Sequence, residues 1–348
     1  MKFSHSQDQL DLKDAARDYF RGSCTAEALR TLVENDQCSL NNWQELAELG
    51  LLGYLAAEDL GGLGMSVDGF TLLAEEAGYV ALPEPLLEVA GIALPVLSAI
   101  DSEAANMLVK SICAGGHRVL LSHPLNPNLN QLVNTDSVLL LQDDGAYLLP
   151  AAECDLVSAD SIDPLRRIQR LKAGPAVQQQ LVEKDAVAAL NRLALEHGAL
   201  LTAAELLGLS AAMIDMATEY AKERNQFGKP IGSYQAVKHH LSSAFVALEF
   251  ARPVIYRAAA AISQKEATAS LSVAHAKIAA IDVATLAAET AIQIHGGMGY
   301  TFEVDLHLWM KRVWAISGLW GDHNYHARTI DQALFADSIA TGPAMTFS

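Results

Sequence analysis

Two separated segments carry residue types suited to gripping a phosphorylated ligand. In Arg224-Asn225-Gln226-Phe227-Gly228, a guanidinium can fork onto a pyrophosphate with two parallel hydrogen bonds, which an ammonium cannot do. Phe227 offers a flat apolar face for a base, and Gly228 lets the chain turn sharply away from a helix end. In Gln293-Ile294-His295-Gly296-Gly297-Met298-Gly299-Tyr300, adjacent glycines at a helix end let phosphate or ribose come up against backbone amides. Gln293 adds an amide that both donates and accepts. Each segment alone reads equally well as packing: an arginine at a helix C-terminus with a core phenylalanine, and a glycine-ended helix.

Other reactive side chains make weaker patterns. His295, His323 and His326 lack a third ligand at zinc spacing, so no metal site is expected. Lys229 sits in a turn, and Lys238-His239-His240 reads as an exposed helix face. Cys24, Cys38, Cys113 and Cys154 are scattered, with no C-x-x-C pair, and are expected as buried free thiols in a reducing cytoplasm. The first residues have no apolar core before their charges, so no signal peptide is expected. A net charge of −17 argues against nucleic acid or an anionic membrane as partner. No uninterrupted apolar run reaches the roughly 20 residues of a bilayer span.

These groups must be positioned by a chain that is 51% hydrophobic and 19% charged, enough for a large core. Residues 1–115 read as helices: 8–19, 43–50 ended by Gly50, 67–80 broken by Pro83 and Pro85, and 86–108 with a kink at Pro95. Residues 116–186 read as a small β unit, with strands at 118–121 and 137–141 and a hairpin signal at Asp144-Gly145. Residues 187–348 read as four long helices, 187–224, 234–263 with a kink at Pro253, 269–295 and 306–334, in an antiparallel bundle followed by an irregular tail.

A helical block, a small β block and a four-helix block follow one another in the acyl-CoA dehydrogenase fold, which the chain resembles over nearly its whole length. The resemblance is strongest at Trp43–Met65 and across 215–330, where Arg-x-x-Phe-Gly, a glutamine eleven residues after the arginine, and Gln-Ile-His-Gly-Gly-x-Gly-Tyr occur together. It implies that Arg224, Phe227, Gln235, Gln293, Gly296 and Gly297 contact the ADP part of FAD. In that family this arm crosses the dimer interface, so those residues serve the neighbouring subunit's cofactor. The flavin ring is held by a subunit's own β block and its last long helix.

The other half of the constellation is missing. The family's Thr-Glu-Pro-x-x-Gly-Ser-Asp stretch and the later Trp-Ile-Thr/Ser element do not occur between Gly115 and Ala186, where there is no tryptophan and Thr135-Asp136-Ser137 is a poor substitute. The reaction needs a carboxylate within reach of the carbon next to the thioester, in a site dry enough to strengthen it as a base. Counted from Gly296-Gly297, the family's glutamate falls on Trp320. A second family position falls on about Gly198, with Glu196 two residues away on another helix face. Asp322 is either a base displaced by half a turn or a helix-start residue paired with His326. No catalytic residue is therefore assigned to this chain.

The resemblance extends to the short subunits of bacterial steroid side-chain acyl-CoA dehydrogenases, which work as α2β2 pairs; Phe302–Leu308, Lys311-Arg312 and Gly321–His326 carry it. It implies a catalytic sister subunit, an acyl-CoA substrate and electron-transfer flavoprotein as acceptor. Two other readings stay open: a self-sufficient homo-oligomer with Asp322 or another acid moved into place, and a scaffold subunit that binds no FAD.

Overall fold

The computed structural model describes residues 4–133, 135–174 and 179–336. The first unit is helical. Helix α1 (Gln7–Ser23) starts on a capping box, in which Ser6 Oγ accepts from the Gln9 amide at 3.2 Å and Gln9 Oε1 accepts from the Ser6 amide at 2.8 Å. Helices α2 (Ala26–Glu34), α3 (Trp43–Glu48) and α4 (Val67–Tyr79) follow. The stretch expected as one helix over 86–108 is three pieces: a π-helix at Leu87–Ala93, α5 at Leu94–Ser98 and α6 at Glu103–Cys113. Pro95 does not kink it. The backbone stays helical from Leu87 to Ser98, with the π-helical turns directly before the proline taking up its missing N–H, and the break comes at 99–102.

The β unit is richer than its hydrophobic runs imply. One sheet has strand order β1-β3-β4-β7 and the other β2-β6-β5. Strands β1 (Val119–Ser122) and β3 (Ser137–Gln142) are parallel, and β3 turns through Asp143-Asp144 into β4 (Gly145–Pro150), with Gln142 opposite Gly145. Strands β2 (Asn128–Asn130), β5 (Asp155–Ala159), β6 (Ile168–Ala173) and β7 (Gln179–Glu183) complete the two sheets. β5, β6 and β7 escape a hydropathy reading because they are half-exposed and polar, so backbone pairing rather than burial defines them.

Helix α7 (Lys184–Glu223) is the axis of the molecule, packing on α4, α8 (Gln235–Ser263) and α9 (Ala269–His295). Its residues from 197 to 210 are buried on nearly every face, as expected of a helix without a polar stripe. By length and composition α7 and the stretch Ala269–Tyr300 would each suffice to cross a bilayer, which corrects the reading from uninterrupted runs. The apolar window of α7 is 83% buried within the fold and that of the second is 50% buried. Pro253 is absorbed inside a continuous α8. The last helix divides into α10 (Leu306–Ile316) and α11 (His323–Phe335). Gly318 and the positive φ of Trp320 and Gly321 end the first, and Asp322 caps the second. The expected tail beyond residue 336 lies outside the described residues. Of the four thiols, all free, only Cys24 is fully buried.

Candidate functional site

The two phosphate-suited segments lie at adjacent helix ends. The rings of Tyr220, near the end of α7, and His295, the last residue of α9, stack with centroids 4.3 Å apart and an interplanar angle of 25°. Arg224 ends α7, and its carbonyl accepts from the Ile231 amide at 2.8 Å. What reads in sequence as a loop is a tight hairpin, β8 (Asn225–Gln226) on β9 (Lys229–Pro230), with Phe227-Gly228 at its tip. Both tip residues have positive φ, +52° and +80°, as a two-residue hairpin turn demands. Phe227 is 93% exposed in this strained conformation, and neither hydrophobicity nor backbone preference explains holding a bulky aromatic that way.

Gln235 opens α8 and Gln293 lies in the last turn of α9, both exposed. Gly296 and Gly297 are also exposed, and a Cβ built on either meets no atom within 4 Å. No contact within this chain therefore requires glycine at Gly297. Lys229 is engaged, its ammonium 4.2 Å from the Tyr234 ring centroid. Lys238, His239 and His240 lie on the exposed face of α8.

The position on which counting from the glycine pair places the family's glutamate is tightly packed. Trp320 is only 3% exposed and packs against Gly198 of α7, where an added Cβ would lie 2.6 Å from the indole Cγ. The two positions expected from sequence counting for a base are thus in direct contact, one aromatic and one without a side chain. Glu196 turns away to accept from the Ser270 hydroxyl. Asp322 accepts from the Tyr325 amide at 2.7 Å as the cap of α11, and His326 donates from Nε2 to the Trp320 carbonyl at 3.0 Å instead of pairing with it. His323 lies 3.4 Å from Asp282.

His123 closes the other side, its ring 5.4 Å from that of Trp320; the sequence reading missed it. It lies in Ser122-His123-Pro124, directly after β1, where a hydroxyl and a proline stand as in Thr-Glu-Pro but histidine replaces the acid. That hydroxyl-x-proline spacing is the signal that could have found it. His123 Nδ1 accepts from the Leu125 amide at 3.0 Å. Thr135-Asp136-Ser137 lies elsewhere: Asp136 takes a two-pronged bond from Arg118 at 3.0 and 2.7 Å, and Ser137 Oγ lies 2.9 Å from His117 Nε2. A cleft of about 470 Å³ beside His123 is lined by Leu140, Leu141, Leu171 and Lys172, without the tryptophan and threonine of the family's flavin cradle.

The turn that presents Trp320 is held from beneath. Lys277 of α9 is fully buried and donates to the carbonyls of Ser317, Leu319 and Gly321 at 2.8, 2.9 and 3.3 Å. Burial pulls its pKa down to about 7, with Asp322 and Glu205 opposing. A neutral amine has only two N–H groups for three carbonyls, so the arrangement is that of the ammonium at a helix C-terminus. Lys277→Met is expected to cost about 3 kcal/mol in urea unfolding and to shift the tryptophan emission to the red.

Burial lowers His123 and His326 to about 4, the second also facing Lys277. Their folded pKa values lie below the unfolded value of about 6.5. Their contribution is therefore complete above that pH and is lost as pH falls through the folded values. His123→Phe is expected to remove about 3 kcal/mol of the stability difference between pH 7 and pH 4, read from urea midpoints. An unchanged pH slope in the variant would show that His123 is not held neutral.

Comparison with known proteins shows the family and the fold. Residues 6–114 match the acyl-CoA dehydrogenase N-terminal domain and residues 187–335 the acyl-CoA dehydrogenase C-terminal domain. The acyl-CoA dehydrogenase IpdE2 of Mycobacterium tuberculosis is 30% identical over 274 residues, covering 78% of this chain and 79% of that protein. The ChsE4-ChsE5 complex of the same organism has a chain that superposes with a TM-score of 0.84 at 21% identity, covering 98% of this chain and 100% of that one. A variant of the Tcur3481-Tcur3483 steroid ACAD superposes with a TM-score of 0.80 at 20% identity, covering 96% of this chain and 99% of that one. With both helical units matched and this relative covered over most of its length, the chain belongs to the acyl-CoA dehydrogenase family, whose cofactor is FAD.

Proposed function

We propose that this chain is the ADP-gripping subunit of a hetero-oligomeric acyl-CoA dehydrogenase, and that a sister chain holds the flavin ring, the base and the thioester. The observation that carries this reading is the contact of Trp320 with Gly198. It leaves neither an acid nor space where a base must stand beside the substrate carbon. Against the self-sufficient reading, Asp322, its named candidate base, is engaged in capping α11.

The fit to FAD is split in the same way. Arg224, Phe227, Gln235, Gln293, Gly296 and Gly297 lie exposed around two neighbouring helix ends and fit the ADP arm of a cofactor arriving from outside. The ring end does not fit beside Trp320 and His123. When bound, FAD supplies the hydride acceptor for desaturating an acyl-CoA. This chain's own residues bind the pyrophosphate, lie along the adenosine and fix the arm's direction. The superposing chains from the ChsE4-ChsE5 complex and from a steroid ACAD support a paired assembly and a steroid substrate, with electron-transfer flavoprotein as the proposed acceptor.

The test is expression of the chain alone and together with a candidate sister chain, followed by the flavin-to-protein ratio and acyl-CoA oxidation. The expected result is no stoichiometric FAD and no turnover for the single chain, and both for the pair. A single chain that is yellow at full occupancy and oxidises an acyl-CoA would overturn the proposal.

A further inference from the structure

Between the three units, charged side chains surround a small cavity of about 10 Å³, enough for about one water. Glu84 follows α4 in the first unit, Asn130 lies on β2, and Arg312 lies on α10, at 5%, 3% and 2% exposure. Glu88, Arg166 and Glu205 complete the polar wall.

Most of the valences here are accounted for. Glu84 Oε1 accepts from the Leu40 amide at 2.6 Å and from Ser39 Oγ at 3.0 Å. Asn130 Nδ2 donates to Glu88 Oε1 at 3.3 Å, and Arg166 bonds the same carboxylate at 3.3 Å. Arg312 donates from Nε to Asp163 and from Nη1 to the Leu82 carbonyl at 2.9 Å and to Glu205 at 3.3 Å. Three buried atoms are left without a protein partner: Glu84 Oε2, Asn130 Oδ1 and Arg312 Nη2. All three residues line the one cavity, and the amide orientation of Asn130 is fixed by its bond to Glu88.

We infer that this cavity is a binding site for a single structural water that joins the three units. The orphan set is two acceptors and one donor. A water meets it completely, donating to Glu84 Oε2 and Asn130 Oδ1 and accepting from Arg312 Nη2. Burial raises Glu84 and Glu205 above the ordinary carboxylate range, with Arg312 opposing in both. If the Glu84 proton sits on Oε2 the set becomes two donors and one acceptor, which a water also satisfies. A monovalent cation satisfies neither set, because the guanidinium faces it, and an anion is repelled by Glu84, Glu88 and Glu205. The three partners come from three different units, so the water ties the β unit to both helical units at one point.

The test is a crystal structure of the wild-type protein at a resolution that orders water, from crystals grown once in sodium and once in rubidium chloride. The expected result is one peak within hydrogen-bond distance of all three atoms, with no anomalous signal from rubidium. No density there, or a rubidium peak, overturns the inference. Asn130→Leu removes one acceptor and fills the space. In hydrogen exchange, amides of β2 and β6 are expected to open at least about tenfold faster in this variant than in wild type. Unchanged exchange would show that no water ties the β unit there; if the variant does not fold, the wild-type crystals decide alone.

Discussion

Arg224→Ala in the assembled complex should lower its affinity for FAD by roughly 10- to 100-fold while leaving the complex assembled. A hydrogen bond to a charged group contributes about 1.5–3 kcal/mol, and each 1.4 kcal/mol is about tenfold in binding. The side chain makes no ion pair among the described residues and its segment is exposed, so its loss costs this chain little stability of its own. Gly297→Val is the steric counterpart. It adds bulk where nothing of this chain lies within 4 Å, so it should fold normally and still shed cofactor. Both are read by flavin absorbance per complex after gel filtration, beside the thermal midpoint. A scaffold that never touches FAD would give unchanged flavin content in both variants.

Trp320→Ala should be the most destabilising single substitution at the site, at roughly 3–5 kcal/mol, the usual cost of removing a buried large aromatic. The indole is 3% exposed and lies against a residue with no side chain, so the space it leaves is lined by Gly198 and the His123 ring and cannot close without moving a helix. Gly198→Ala probes the same contact from the other side and should cost about 1–3 kcal/mol by overpacking. The two losses should not add: in the Trp320→Ala background the second should fall to less than half, a coupling read from a double-mutant cycle of urea unfolding. Additive losses would mean that the indole does not rest on Gly198. Trp320→Glu should not produce a dehydrogenase, because the substituted acid would be buried between an α7 backbone and a neutral imidazole with no substrate space beside it.

The residues along this chain were informative wherever the physics is local. A guanidinium at the end of α7, a glycine pair at the end of α9 and Asp322 before α11 act through caps and turns a few residues long. Their types and spacing therefore marked both helix ends, while the ADP role of the two segments came from the family resemblance. The same holds for α7, whose apolar run is long enough to declare a buried helix. Even there, the break between α10 and α11 was hidden, because Gly318 and Gly321 flank hydrophobic residues that keep a helical period.

Tertiary structure decided everything that depends on partners distant in sequence. That Trp320 lies on Gly198, that His123 faces it, that Lys277 holds the turn and that three residues with unpartnered buried atoms line one cavity are pairings across 40 to 228 residues. Burial rewards area and shape without regard to sequence separation. The residue types thus placed Trp320 and Gly198 where counting puts the family's acid, and only the packing determined that the indole lies on the bare α7 backbone there.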